Sequence, residues 1–323
     1  MEPREKVGEH GSIYSATAVS DANNPNISEA PPSIDPAAAA RWLRVAPGAS
    51  PWLHEEVGGR MAQRLQWIRR APQAWADWHA VRGGLDAHAR VTERYPGARC
   101  YVVEDSPAMT QAARSALGKP WWQRTARPVV VAGAPPDASV QLVWSNMLLH
   151  NWHQPRALMA SWHRALAVDG FLMFSCLGPD TLRELRSLYS VLGWPPAGHD
   201  FTDMHDWGDM LVQAGFAEPV MDMERITLSF AGAARMLAEW RELGRNLHPA
   251  RFPALRGRAW REDLLRALGG SAGESGTVQC TFEIIYGHAF KPAPRAAVKP
   301  RSEVPLADMQ AMLRGGRGGG GPP

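Results

Sequence analysis

The chain has 323 residues, 45% of them hydrophobic, which is enough to bury a large core, and its formal net charge is only +3. So small a charge argues against a nucleic-acid partner, which normally requires a dense basic surface. The three cysteines, Cys100, Cys176 and Cys280, have no paired spacing, so the sequence predicts neither a disulfide framework nor a cysteine metal site.

Both ends of the chain are rich in small, polar and proline residues and lack hydrophobic periodicity. We predict that residues 1–33 form a disordered tail and that residues 292–323, a Pro/Arg/Gly segment, form another. Residues 34–291 then make one domain. The first residues lack the apolar segment of a secretory signal, and no apolar run approaches the ~20 residues of a membrane span. We therefore predict a cytoplasmic protein without a membrane span.

Helices and strands alternate between the tails, which is the pattern of a parallel sheet covered by helices on both faces. The first half predicts, in chain order, a helix over 52–70, a strand over 74–77, a helix over 84–94, a strand over 99–104 and a helix capped by Ser106. The second half predicts strands over 128–132, 140–145 and 170–176, then helices over 179–192 and from Thr202 to Gly215.

The last part of the domain is predicted as two β-rich segments, 218–230 and 277–288, that form an antiparallel pair at the edge of the sheet. A mostly helical insertion over 231–275 interrupts this pair. Such an insertion lies over the C-terminal edge of the sheet, where open α/β folds bind ligands.

Several motifs are typical of one enzyme class. An apolar strand ends at Ser145-Asn146, and Asp169-Gly170 leads into a second apolar strand; earlier, the apolar run from Tyr101 is followed by Glu104 and a helix start. These features resemble the class I S-adenosylmethionine-dependent methyltransferases. The resemblance implies an α/β fold with a Rossmann-like seven-stranded sheet, helices on both faces and the helical insertion before the last strand. It also implies S-adenosylmethionine as the cofactor.

The glycine loop of that family, roughly D-x-G-x-G-x-G after the first strand, is only partly present. Asp77 matches the acidic position, but His79 and Val81 occupy the first two glycine positions, and only Gly83, with Gly84 beside it, remains. Glycine lets the backbone approach a ligand and adopt unusual dihedral angles. The two side chains either fill part of the cofactor space or reshape the loop. The alternative that Gly83-Gly84 is only a strand-to-helix turn stays open.

The resemblance assigns the ribose hydroxyls to Glu104, at the end of the second strand; the alternative is a solvated side chain beside an ordinary helix cap. After the third strand no acidic residue is present, so only backbone contacts from Ala132 or Gly133 remain for the adenine. The implied cofactor-binding set is Asp77, His79, Gly83, Gly84, Glu104, Asp105, Ala132, Gly133 and Ser145.

Residues 40–290 further resemble the malonyl-acyl-carrier-protein O-methyltransferases of biotin synthesis and a related mitochondrial complex I assembly factor, through Ser50–Val57 and Gly178–Arg186 in particular. This resemblance implies an acyl substrate, free or bound to an acyl-carrier protein, held between the sheet edge and the insertion. The substrate-binding candidates are Asn146, His150, Trp152 and Arg183. Further candidate cations for a carboxylate substrate are Arg186, Arg241 and Arg245, each of which has a solvated helix face as its alternative role.

We expect no catalytic side chain, because a carboxylate nucleophile is already ionised and needs alignment rather than a base. We expect no metal either, since His150 and His153 have no evident third ligand. The predicted function is S-adenosylmethionine-dependent methylation of a carboxylate. The alternative is a catalytically lapsed methyltransferase fold that acts as a binding or assembly protein. A nicotinamide dehydrogenase is disfavoured because its intact G-x-G-x-x-G motif is missing.

Overall fold

The computed structural model describes residues 34–118, 128–270 and 277–294, together with residues 306, 307, 309 and 310. All of them belong to one compact unit, Pro32–Pro323. The tail predicted over 1–33, and most of the one predicted over 292–323, lie outside the described residues. Among the described helices, none is long and apolar enough to cross a membrane.

Seven strands form the sheet: β1 Ala74–Trp78, β2 Arg99–Val103, β3 Val129–Val131, β4 Val140–Ser145, β5 Leu166–Leu177, β6 Ala217–Phe230 and β7 Val278–Phe290. The described helices are α1 Pro36–Val45, α2 Trp52–Arg64, α3 Ala80–Gly83, α4 Leu85–Arg94, α5 Pro107–Leu117, α6 Pro155–Ala165, α7 Arg183–Val191, α8 Met204–Gln213, α9 Ala233–Leu243 and α10 Arg258–Gly269.

The strand order is β3-β2-β1-β4-β5-β7-β6, with β7 antiparallel to both of its neighbours. The other pairs are parallel, as alternation of helices and strands predicts. Helices α9 and α10 lie between β6 and β7 in the chain. The predicted Rossmann-like seven-stranded sheet, with its helical insertion before the last strand, is confirmed.

Both faces of the sheet are buried, which explains why its central strands are largely apolar rather than alternating. On one face, Trp75 and Trp144 pack with α2 side chains such as Leu53. On the other face, Trp78 and Trp162 pack edge to face, with ring centroids 6.4 Å apart. This two-sided core fixes the strands, so that the ends of β1, β2, β4 and β5 form a rigid edge.

Some predicted boundaries differ from the structure. The first predicted helix leaves α-helical geometry after Arg64 and ends in a short 3₁₀ turn, Leu65–Trp67. The helix predicted from 179 begins only at Arg183, because the preceding turn bonds to β7 through Leu182 N and Thr281 O, 2.7 Å apart. The helix predicted from Thr202 begins at Met204, and its N-cap is Asp203, whose carboxylate accepts the His205 N–H at 2.8 Å.

Candidate functional site

The C-terminal ends of the parallel strands bring the predicted polar residues to one edge of the sheet. Backbone hydrogen bonds extend the strand pairing past the strand ends: His79 N donates to Val103 O at 2.9 Å, and Glu104 N to Val131 O at 3.2 Å. His79 and Glu104 therefore follow neighbouring strands, β1 and β2. This is the position at which open α/β sheets bind ligands.

His79 keeps the backbone conformation of a glycine, because its φ is 63°, in the left-handed region. The ring is 4% exposed, contacts the Asp105 carboxylate through Nε2, and lies edge to face with Trp152 at 5.6 Å between centroids. Burial acts to lower the His79 pKa, but the hydrogen bond and charge of Asp105 outweigh it and raise that pKa. His79 thus fills space beside the loop without changing the path of its backbone.

Val81, the other replacement in the glycine loop, directs its side chain away from the sheet edge. Its side chain is buried in the core cluster that contains Leu53 and Met109. Its backbone N–H donates to Glu104 Oε1 at 3.1 Å. Val81 therefore supplies a backbone donor to the edge and directs its side chain into the protein core.

Glu104 is fully buried, and only one of its carboxylate oxygens is used within the described residues. Oε1 accepts the Val81 N–H, whereas Oε2 has no hydrogen-bond partner. Burial raises the pKa of Glu104 to about 7, against the opposing positive charge of His79. A buried acceptor without a donor is unfavourable in a folded protein and is expected where a ligand supplies the donor.

Asn146 forms hydrogen bonds that join three parts of the protein. Its amide nitrogen donates to His54 O at 2.7 Å and also to Gly83 O, while its Oδ1 accepts the Ser175 hydroxyl at 2.6 Å. It lines neither of the cavities described below. Ser145 is also buried, and its hydroxyl has no partner within the described residues.

The other predicted cofactor residues are divided between the loop and the surface. Asp77 is buried against His88 Nδ1, 2.8 Å from its Oδ2, and burial raises the Asp77 pKa despite that contact. Gly83 packs closely enough that a Cβ there would lie 3.2 Å from Asn146 O, and Gly84 has a φ of 126° at the start of α4. The remaining two, Ala132 and Gly133, are exposed and line neither cavity.

A small cavity of about 40 Å³ lies at the ends of β1 and β2. His79, Asp105 and Trp152, all predicted site residues, line it. Sequence reasoning missed Trp42 and Arg82, which also line it. Arg82 lies inside the glycine loop, and a charged residue in that loop could have indicated a binding role from the sequence. Trp42 could not be found in this way, because it comes from α1, far away in the chain.

A second, larger cavity of about 630 Å³ lies under the insertion. His54, Asn151 and Leu243 line both cavities, so the two adjoin. The arginines lining the larger one are Arg186, Arg241, Arg245, Arg256, Arg258 and Arg261, and its described lining contains no Asp or Glu. Its other lining residues are largely aliphatic and aromatic, such as Tyr189 and Trp260.

Three histidines at the larger cavity are held neutral. Burial lowers the pKa of His54 to about 3 and that of His199 to about 4. Burial also lowers the His150 pKa well below its usual value. Since His54 Nδ1 lies 2.7 Å from Arg82 O and His199 Nε2 lies 2.9 Å from His150 O, those nitrogens carry the protons and donate. The imidazoles therefore add polarity but no charge.

The arginines predicted to bind the substrate differ in whether they line a cavity. Arg183 is exposed, contacts Glu184 at 3.4 Å and lines neither cavity. Arg186 lines the larger cavity, donates to His199 O at 2.7 Å and lies over the Phe201 ring at 5.2 Å. Within the described residues, no group of three or more His, Cys, Asp or Glu side chains could hold a metal ion.

Comparisons with known proteins agree with this architecture. A family model described as a methyltransferase domain matches residues 83–174. The chain is 38% identical over 256 residues to a malonyl-[acyl-carrier protein] O-methyltransferase of Gallionella capsiferriformans, which covers 76% of this chain and 87% of that protein. A protein of the same name from Laribacter hongkongensis is 36% identical over 253 residues, and the match covers 75% of this chain and 84% of that protein.

Among solved structures, the YcgJ protein of Bacillus subtilis matches with a TM-score of 0.50 and 14% identity, covering 74% of this chain and 99% of that one. At that identity the match shows the fold alone. The family model begins to match at Gly83, two residues after Val81 and four after His79, the positions where the glycine loop departs from the expected pattern.

Proposed function

Because this chain belongs to the family of the malonyl-[acyl-carrier protein] O-methyltransferases, we propose that it methylates the free carboxylate of a malonyl group carried on an acyl-carrier protein. The methyl donor is S-adenosylmethionine, which methyltransferases of this fold use, and the ester product belongs to biotin synthesis. The same proposal includes a cytoplasmic location and assigns the insertion, residues 231–275, the role of a lid over the sheet edge.

The observation that carries this proposal is the composition of the larger cavity. Six arginines and no described acidic residue line about 630 Å³ of otherwise largely apolar space. A malonyl thioester on a phosphopantetheine arm has a carboxylate at one end, a phosphate at the other and a slender chain between them. Arginine is the side chain best suited to both anions, because its planar fork donates two parallel hydrogen bonds.

For the cofactor to be held at the ends of β1 and β2, the smaller cavity, about 40 Å³ in this structure, would have to enlarge beside Glu104. The unpartnered Oε2 of Glu104 is the acceptor that ribose hydroxyls need, and the loop backbone keeps its glycine-like path at His79. The bound cofactor would supply an electrophilic methyl group. We assign Glu104 to the ribose, and the backbone of the glycine loop to the amino-acid end of the cofactor.

The chain's own residues then have to orient the acceptor and exclude water. A malonyl carboxylate is ionised at neutral pH and needs no general base, so alignment in a dry pocket provides most of the rate. Because burial keeps His54, His150 and His199 neutral, the arginines are the cationic side chains in the described lining of the larger cavity. Arg186 and Arg245 hold the acceptor's anionic groups.

A methyl-transfer assay tests the proposal. Purified protein is incubated with methyl-labelled S-adenosylmethionine and malonyl-acyl-carrier protein, and the methyl ester is identified by mass spectrometry. Acetyl-acyl-carrier protein, which has no free carboxylate, serves as the negative substrate. With wild type we expect labelled methyl ester in the malonyl sample only. With Glu104→Gln we expect the malonyl sample to lose that label. The matched control is Glu93→Gln, an exposed glutamate of α4, which should retain activity.

The alternative of a lapsed fold that acts as a binding protein has one observation in its favour. His79 and Trp152 leave only about 40 Å³ in the smaller cavity, which is less space than a nucleoside needs. Relatives that carry the methyltransferase name over most of the chain favour the enzyme. A protein that neither forms the ester nor binds S-adenosylhomocysteine by calorimetry would support the alternative instead.

A further inference from the structure

Two arginines share one aromatic ring at the junction of the two cavities. The guanidinium carbons of Arg82 and Arg245 lie 5.5 Å and 5.1 Å from the centre of the Trp42 ring. Trp42 is 5% exposed and comes from α1. Arg82 lines the smaller cavity and Arg245 the larger one, so the pair belongs to both binding spaces.

These two cations are poorly compensated by the protein. Within the described part of the chain, neither has a carboxylate oxygen within the 4.0 Å of a salt bridge, and Glu242 attracts Arg82 only at longer range. Burial lowers the Arg82 pKa to about 10; the Glu242 charge opposes this shift, and the charge of Arg245 adds to it. Two like charges in a partly buried place are unfavourable, and an anion between them would remove that cost.

Both guanidinium groups are already held in position. Arg82 donates to Ala49 O at 2.7 Å and to Glu242 O at 2.8 Å, and Arg245 donates to Gly244 O at 2.8 Å. A guanidinium has five N–H donors, so these contacts fix the groups and leave further donors available. A ligand that binds here meets donors whose conformational entropy has already been lost.

We propose that Arg82 and Arg245, held over Trp42, form a carboxylate-binding site between the two cavities. The proposal rests on the proposed function, which supplies two ligands with a carboxylate. One is the amino-acid end of the methyl donor, entering from the smaller cavity; the other is the free carboxylate of the acyl chain, entering from the larger cavity. In this proposal the Arg82 side chain binds the ligand, whereas the rest of the glycine loop contacts the ligand through its backbone.

Calorimetry with two matched ligand pairs tests the site. S-adenosylhomocysteine is compared with methylthioadenosine, which keeps the nucleoside and the thioether but lacks the amino-acid carboxylate. Malonyl-pantetheine is compared with acetyl-pantetheine. Each is titrated into wild type, Arg82→Leu and Arg245→Leu. Losing a charge-assisted hydrogen bond should weaken binding about tenfold to a hundredfold, and only for the carboxylate-bearing member of a pair.

The control variant is Arg183→Leu, which removes an exposed arginine that lines neither cavity, and it should bind all four ligands as wild type does. Arg82→Lys keeps the positive charge but not the planar guanidinium fork, so its affinity for the carboxylate-bearing ligand should lie between those of wild type and Arg82→Leu. A loss confined to S-adenosylhomocysteine assigns the site to the cofactor, and a loss confined to malonyl-pantetheine assigns it to the acceptor.

The proposal is overturned if the arginine variants bind both members of each pair as wild type does, or weaken both members equally. Equal weakening means that Arg82 only joins Ala49 to Glu242, which is a structural role. In either case wild type still binds S-adenosylhomocysteine, and the proposed function stands. A wild-type protein that binds none of the four ligands removes the proposed function together with this site.

Discussion

Glu104 gives the sharpest test of the candidate cofactor site, because its replacement by glutamine should stabilise the protein while weakening ligand binding. Burial raises the pKa of Glu104 from 4.5 to about 7, and a difference of one pH unit in pKa corresponds to about 1.4 kcal/mol. The ionised carboxylate therefore destabilises the folded protein by about 3 kcal/mol above pH 7. Glutamine keeps the oxygen that accepts the Val81 N–H and carries no charge.

The size of this effect depends on pH. Below pH 4.5 the carboxyl group is protonated in both the folded and the unfolded chain, so glutamine gives no advantage. Between pH 4.5 and 7 only the folded chain keeps the proton, and the stability of wild type falls as pH rises. We expect Glu104→Gln to exceed wild type by less than about 1 kcal/mol at pH 5 and by about 3 kcal/mol at pH 8.

Urea unfolding at pH 5 and pH 8 measures these differences, with Glu93→Gln as the surface control. Calorimetry with S-adenosylhomocysteine measures the opposite effect: binding to Glu104→Gln should be about tenfold to a hundredfold weaker, since a charge-assisted hydrogen bond is lost. Wild-type affinity should fall about tenfold per pH unit below pH 7, as Glu104 takes up its proton. Equal stabilities at both pH values, with unchanged ligand binding, would refute the assignment of Glu104 to the ribose.

Two further substitutions separate binding from structural roles. His79→Gly removes the ring that contacts Asp105 and Trp152 and leaves a residue for which a φ of 63° is unstrained. Calorimetry should then show S-adenosylhomocysteine binding up to about tenfold tighter than in wild type. Weaker binding would instead make His79 a ligand contact. Asn146→Ala breaks the links among His54, Gly83 and Ser175 and should lower the free energy of unfolding by about 2–3 kcal/mol. Gln66→Ala, at an exposed position that lines neither cavity, is its control. A raised KM for the acyl substrate without loss of stability would contradict the structural role of Asn146.

Local sequence signals predicted most of the strands and their parallel pairing, because apolar strands alternate with helices along the chain. The seven-stranded Rossmann-like sheet was implied by the resemblance to the class I methyltransferases. Ser106 is a good example of a local signal: its place before Pro107 predicted a helix start, and its hydroxyl accepts the Met109 N–H at 3.2 Å. The helix predicted from residue 179 began late, because bonds to β7, about a hundred residues away in the chain, hold the intervening turn. Helix periodicity carries no information about such long-range bonds.

The candidate site was less predictable for the same reason. Glu104 and Asp105 follow a strand directly, so their place at the sheet edge could be read from the sequence. Trp42 and Arg245 reach the site from α1 and from the insertion, and only the folded chain shows that both approach Arg82. Arg183 was predicted beside the substrate because it belongs to the right segment; the helix phase turns it to solvent and places Arg186 on the cavity instead.

The two departures from the glycine loop have different consequences. Val81 directs its side chain into the core and offers its N–H to Glu104, so its replacement of glycine takes no space from the smaller cavity. His79 alone projects a side chain into that cavity while its backbone keeps a glycine-like φ. Glycine in such a loop supplies both backbone freedom and empty space. His79 keeps the glycine-like φ but gives up the space, whereas Val81 lies within α3 and has no positive φ. The adaptation required for cofactor binding is therefore local to the His79 ring and its partners, Asp105 and Trp152, and does not require the loop to refold.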